Sequence, residues 1–300
     1  MKKLLLLAFC LTLNSCLEID KDQDQIFSYN DPFYLGINDL LANCASDSQN
    51  SMTNWTKSYD ELLKDYRLSS FKIDFEGIAN TNSTCRLIKT FEKVELKSFK
   101  EFYAENSTAM LVNIYNVLML DIVSRNLNQT LEDGKPDLPE NHSPLNIYNK
   151  GLGLFREVKW PIFNRYMSLD QVEQLISSDQ RYISGLLLFR AMKGFNPLPE
   201  KSFTHQTLLS FYQESLNKYV NQEIFYDDSD EQYIAYAPGN LQFISNDTFS
   251  AQKLLRQLIY KNLDVGEWGE ILRAEDILHH GEGNYKWSIK FNPVNWQLAK

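Results

Sequence analysis

The chain of 300 residues carries four cysteines and four histidines, so few thiols and imidazoles are available for nucleophilic or metal chemistry. His279-His280-Gly281-Glu282 offers imidazole and carboxylate together. Adjacent residues of a regular element point to different sides, however, and no third anchored ligand is evident, so a surface loop is the better reading than a metal centre. The acidic run Asp227-Asp228-Ser229-Asp230-Glu231 lacks the glycine and the alternating oxygens of a calcium loop and reads as a solvated turn. There is no Walker A loop, no Gly-X-Gly-X-X-Gly, no His-Glu-X-X-His, no paired Cys-X-X-Cys and no Gly-X-Ser-X-Gly elbow. Ser202 with His205 is one pairing that brings a hydroxyl and a base close in sequence. No cofactor and no metal site is expected.

The cysteines divide by position. Lys2-Lys3 precedes the apolar stretch from Leu4 to Leu13, which rises only about 15 Å as a helix. That is too short for a bilayer core of about 30 Å, so residues 1–16 read as an export signal. Leu13-Asn14-Ser15-Cys16 at its end resembles a bacterial lipobox, in which the Cys is alkylated with diacylglycerol and becomes the new N-terminus. Residues 17–30 are polar, without helical periodicity, and read as a solvated linker. Cys44 and Cys85 remain. In an oxidising compartment a leftover pair is most simply a disulfide; the alternative, a nucleophilic Cys, needs a His partner that neither local context supplies.

With 43% hydrophobic and 23% charged residues the chain has the balance of an ordinary globule. Its net charge of −9 argues against an electrostatic grip on nucleic acid or anionic headgroups, which leaves the N-terminal lipid as the expected membrane contact. We expect one α+β domain over residues 31–300, mainly helical around a small antiparallel sheet.

The elements that must hold any site follow from periodicity. Met110, Leu111, Val112, Ile114, Val117, Leu118, Met119, Leu120 and Ile122 leave a helix over 109–123 almost no polar face, so it must be buried, with N-cap candidates at 106–108. Asn113 and Asn116 lie three residues apart on it. Buried amides need partners, so the pair is either a site or a structural clamp. Short helices are expected over 34–41 and 87–91, with an exposed loop over 46–53 and a polar connection over 126–149. Ser168 is placed as the N-cap of a helix with Leu169, Val172, Leu175 and Ile176 inward. Residues 182–189 fit a buried strand or core helix. An amphipathic helix over 204–220 turns Leu208, Leu209, Tyr212, Leu216 and Tyr219 inward, 224–236 reads as a hairpin, and a last helix spans about 251–263.

Leu111-Val112-Asn113-Ile114-Tyr115-Asn116-Val117-Leu118 resembles the Trp-Ile-Asn-X-Tyr-Asn-Ala-Leu signature of the domain of unknown function 547 family, found in many secreted bacterial proteins. Further elements of that family have counterparts in the same order. They are Ile73-Asp74-Phe75, Ser168-Leu169-Asp170-Gln171-Val172-Glu173, Asn196-Pro197-Leu198 with Phe203-Thr204, and Tyr285-Lys286-Trp287-Ser288. The resemblance thus spans about residues 73–288. It implies a fold related to thiol hydrolases and a proposed triad of Cys, His and the Glu matched here by Glu173. In this chain Arg190 stands where the family has its first Cys, Phe195 where it has its second, and Ile183 where it has His. No Cys or His occurs between Ser143 and Thr204, so no register restores the pair. Arg190 donates hydrogen bonds and holds charge but cannot act as a nucleophile. Glu173 is then either a carboxylate paired with an Arg such as Arg190 or Arg181, or a helix-surface acid.

The resemblance and its departures imply an exported lipoprotein, periplasmic or at the outer membrane, that binds a small molecule or peptide or serves structurally without catalysis. The alternatives are a hydrolase with replaced catalytic residues, for example Ser202 and His205, and a structural envelope protein with no ligand. Mass spectrometry of the protein from its native host should find diacylglyceryl Cys16 as the first residue. A mature terminus elsewhere, with Cys16 a free thiol, would exclude the anchor.

Overall fold

Nineteen residues, Ser107–Arg125, form one helix whose side chains from Thr108 to Ser124 are all buried. The computed structural model describes residues 51–81, 83–127, 143–144, 153–179, 181–192, 194–227, 233–244, 248–262, 287–294 and 298. All belong to one compact unit, Ala45–Lys300. In chain order the elements are α1 (Met52–Tyr66), β1 (Arg67–Ser69), β2 (Lys72–Ile73), α2 (Phe75–Ala79), α3 (Ser83–Lys89), α4 (Leu96–Tyr103), α5 (Ser107–Arg125) and α6 (Gly153–Arg156). There follow β3 (Lys159–Ile162), β4 (Arg165–Ser168), α7 (Leu169–Ser177), α8 (His205–Lys218), β5 (Phe225–Asp227), β6 (Tyr233–Ala237), α9 (Thr248–Asn262) and β7 (Trp287–Phe291). The signal, the linker, the 34–41 helix and most of the 126–149 connection lie outside the described residues.

The mainly helical α+β class expected from the sequence is the class found. The strands form two antiparallel hairpins, β1–β2 and β3–β4, and a three-stranded sheet in which β5–β6 is antiparallel and β6–β7 parallel. The helices pack around α5 rather than around a sheet: α2, α3, α4, α7 and α8 all touch it. Leu96–Arg125 passes a length and composition test for a membrane span, but 94% of its apolar window is buried inside the protein.

An apolar helix with polar residues on it is held where those residues find partners. Asp121, 1% exposed, accepts from Thr84 Oγ1 on α3 (2.8 Å), from Arg125 Nε (2.7 Å) and from Trp160 Nε1 on β3 (2.9 Å). Thr108 Oγ1 donates to Asp179 beyond α7 (2.8 Å). The expected cap residue Asn106 makes no side-chain cap to α5; its Oδ1 instead accepts from the backbone N–H of His205, at the start of α8 (2.8 Å).

Several local expectations were met and others were not. Ser168 caps α7 in a capping box with Gln171, and β5–β6 is the expected hairpin; α8, expected over 204–220, runs His205–Lys218, with Thr204 as its cap in a second box with Thr207. Residues 182–189 are largely buried but are neither strand nor long helix. They pass through a 3-10 turn at Ser184–Leu186, with Leu186 N–H bonded to Ile183 O and Leu187 N–H to Ser184 O. Leu209, expected inward, is 43% exposed, because the inward stripe of α8 runs through Leu208, Tyr212, Ser215 and Leu216. The helix α1 occupies part of the expected 46–53 loop and buries Trp55, Tyr59, Leu62 and Leu63.

The β3–β4 hairpin was not expected. Its turn residues Phe163 and Asn164 both have left-handed backbone, φ 58° and 57°, the signature of a type I′ turn usually built on Asn-Gly. Phe163 adopts it because its ring packs on Phe99 (4.8 Å) and Phe91 (6.0 Å) and its N–H donates to Phe91 O (2.8 Å). Ala104 has no such compensation. Exposed between α4 and α5, it sits at φ 44°, ψ −118°, a region glycine enters without steric cost. Ala104→Gly should therefore raise the unfolding free energy in urea by about 1 kcal/mol, the relief of strain exceeding the added freedom of the unfolded chain. An unchanged or lowered midpoint would show that Ala104 is unstrained.

Candidate functional site

Three segments converge on Glu173 and Arg190. The capping box at Ser168 fixes the first turn of α7, which sets Asp170 and, one turn later, Glu173 on one side of the helix. The irregular run after the 3-10 turn brings Arg190 to that side, followed by Ala191 in left-handed backbone at φ 56°. The short helix α6 supplies Phe155 and Arg156.

Of the two arginines considered as partners for Glu173, the structure uses Arg190. Its Nη2 donates to Glu173 Oε2 at 3.0 Å and to Oε1 at 3.2 Å, and Ser184 Oγ donates to Oε1 at 2.8 Å. Ser177 Oγ in turn donates to Ser184 Oγ (3.1 Å). Arg181 pairs instead with Asp179 (2.7 Å), whose carboxyl is held down at about 2 chiefly by that hydrogen bond. Arg190 Cζ lies 5.1 Å from the ring centre of Phe155 and 5.6 Å from that of Phe195, both within cation–π range. Arg190 is only 8% exposed. Burial presses its pKa down, but the negative charge of Glu173, helped by that of Asp170 and by the hydrogen bond to Glu173, more than restores it, so the guanidinium stays charged.

The surroundings extend this polar island. Asp170 is raised by burial, partly countered by Arg156, whose Nε lies 3.0 Å from its Oδ2. From α5, Tyr115 is fully buried, and burial drives its hydroxyl far above the usual phenol range; that hydroxyl has no hydrogen-bond partner. As chemistry, the arrangement is a charged pair with a hydroxyl attached. Both carboxylate oxygens of Glu173 are engaged by the guanidinium, so taking the Ser184 proton would weaken an ionic contact.

The remaining candidates divide. Asn113 is a clamp: its Nδ2 donates to Phe203 O (2.9 Å) and its Oδ1 accepts from Phe203 N–H (2.8 Å), fixing the approach to α8. Asn116 has no exposed surface; its amide faces the Tyr59 hydroxyl closely enough to lower that phenol's pKa against the larger effect of burial, but without the distance and angles of a full hydrogen bond. Ser202 and His205 are not joined as a dyad. The Ser202 N–H donates to Asp60 Oδ1 (2.6 Å) and the His205 N–H to Asn106, and no hydrogen bond links hydroxyl to imidazole. Cys85, 2% exposed on α3, is disulfide-bonded. Cys16, Cys44, His279, His280 and Glu282 lie outside the described residues. Among the described residues no group of three or more His, Cys, Asp or Glu could hold a metal ion.

Other residues quoted for the family resemblance have structural duties. Asp74 caps α2 by accepting from Gly77 N–H (2.8 Å), and Leu198 O accepts from Arg67 Nε (2.9 Å). Asn196 Oδ1 accepts from Tyr219 Oη (3.0 Å). Sequence reasoning did not single out Asp121 or Phe155, and quoted Tyr115 only within the motif around Asn113 and Asn116. A lone acid four residues before Arg125 in an apolar run was the available signal for Asp121; for Phe155, neighbouring residues carried none. No family model, curated protein or solved structure matches this chain.

Glu173→Ala would leave Arg190 buried without its counter-ion and should lower the unfolding free energy by about 3 kcal/mol in urea. Glu173→Leu combined with Arg190→Met, which removes both charges, should recover most of that loss. Arg181→Ala, which breaks an exposed pair, should change little. A Glu173→Ala protein as stable as wild type would show that the pair carries no structural load.

Proposed function

We propose that this chain is an exported, lipid-anchored protein of the cell envelope, similar to the domain of unknown function 547 family, in which the catalytic position has become part of the scaffold. The observation that carries the reading is Arg190, held by the Glu173 carboxylate and closed between Phe155 and Phe195 at the position the resemblance assigns to a nucleophilic Cys. A buried, paired guanidinium neither attacks a carbonyl nor leaves room for one to approach. The role is thus non-catalytic, and structural rather than ligand-binding at this position. Pairing of Cys85 with Cys44 belongs to the same proposal, since export exposes the chain to an oxidising compartment.

A ligand-binding role would have to use another surface. The cleft lined by Leu68, Lys72, Ile73, Asp74, Phe75 and Leu127, among others, holds about 190 Å³. That lies below the range of about 300–1,000 Å³ usual for sites enclosing a drug-sized molecule.

Purified wild type, Glu173→Ala, Ser184→Ala and His205→Ala proteins should show no turnover of peptide, amide or ester substrates above buffer. A thiol site stripped of nucleophile and base retains at most binding and oxyanion effects. Reproducible hydrolysis by wild type that any of the three substitutions abolishes would restore the hydrolase reading and overturn the proposal.

A further inference from the structure

We propose that Phe155, Phe195 and Glu173 form a receptor for a guanidinium cation, filled in wild type by the chain's own Arg190. The inference rests on reading Arg190–Glu173 as a closed structural pair. The parts are two aromatic rings whose centres lie 5.1 and 5.6 Å from Cζ, and a carboxylate whose two oxygens both accept from the single nitrogen Nη2, at 3.0 and 3.2 Å. A planar, weakly hydrated guanidinium stacks on flat aromatic walls while one of its amino groups serves the carboxylate; a compact, strongly hydrated ammonium gives up more water on entering and has no flat face to offer the rings.

The walls do not depend on Arg190 for their place. Phe155 is held in α6 and is 2% exposed, Phe195 is 5% exposed, and Glu173 stands on the capped helix α7 with Ser184 Oγ fixing one of its oxygens. Tyr115, fully buried, is the independent sign of unused capacity. Its unpartnered hydroxyl lies within electrostatic reach of both Arg190 and Glu173, a buried polar group near the box that the tethered side chain leaves unused. Arg190 is the tethered occupant of this box, and its covalent link supplies the high local concentration that keeps other cations out.

Truncation to Arg190→Ala removes the occupant and leaves the receptor. Its thermal unfolding should be compared in about 20 mM methylguanidinium chloride, methylammonium chloride and sodium chloride, all far below denaturing concentration. Methylguanidinium should raise the Tm of Arg190→Ala by about 2–5 °C over the other two salts, as expected for a weak ligand of the folded state. It should not raise that of wild type, whose box is filled. Arg190→Ala combined with Glu173→Gln should lose the selectivity.

If Arg190→Ala does not fold alone, the readout becomes the refolded fraction, which should be several-fold higher in methylguanidinium than in methylammonium. Equal behaviour in the two organic salts, or failure to refold in either, overturns the receptor. An Arg190→Ala protein as stable as wild type would instead overturn the structural reading of the pair, so the two failures are distinguishable.

Discussion

Because α5 has no side that faces water, every polar atom it carries must find a partner on another element or remain desolvated at a cost of about 1–3 kcal/mol. That constraint places its neighbours. Asp121 fixes α3 through Thr84 and the β3–β4 hairpin through Trp160, Asn113 fixes the entry to α8 through the Phe203 backbone, and Thr108 reaches the segment after α7 through Asp179. Hydrophobic burial holds the helix inside but has little directional preference. The few hydrogen bonds along it supply the direction, so the orientation of the surrounding helices depends on three polar side chains in an otherwise apolar run.

The Glu173–Arg190 pair is one step removed from that frame. Its carboxylate rides on α7, which packs on α5, and its guanidinium lies against the rings of Phe155 and Phe195, within electrostatic reach of Tyr115 of α5. An inward arginine is tolerable only with a counter-ion and acceptors in place. Phe195 has a physical partner in Arg190: its ring centre lies 5.6 Å from Cζ and forms one wall for the cation.

What the sequence revealed follows the range of the interactions involved. The buried helix, the cap at Ser168 and the β5–β6 hairpin are set by residues within a few positions of each other, and all were legible. The β3–β4 turn was not, because Phe163 enters left-handed backbone only with Phe91 and Phe99 against its ring. Nor was the path of residues 182–189, an apolar run whose backbone closes on itself in a 3-10 turn while Asn196 Nδ2 donates to Gly185 O and Leu188 O. At the site, Glu173 and Arg190 could be paired by charge and need. The aromatic walls could not, since nothing near Phe155 in sequence indicates what its ring faces.

Asn113 and Asn116 show how one motif can divide its duties. The first has both amide atoms engaged by one backbone unit, whereas the second has neither engaged, although both lie on the same face of α5 and both are fully buried. The difference comes from what lies opposite: Asn113 meets the N–H and C=O of Phe203, and Asn116 meets the hydroxyl of Tyr59 without the geometry of a full hydrogen bond. An amide left so costs about 1–3 kcal/mol, comparable with what the burial of one leucine contributes at about 1.5–3 kcal/mol. A helix that buries Leu111, Leu118 and Leu120, among many others, can carry such a defect and still be the most securely placed element of the fold.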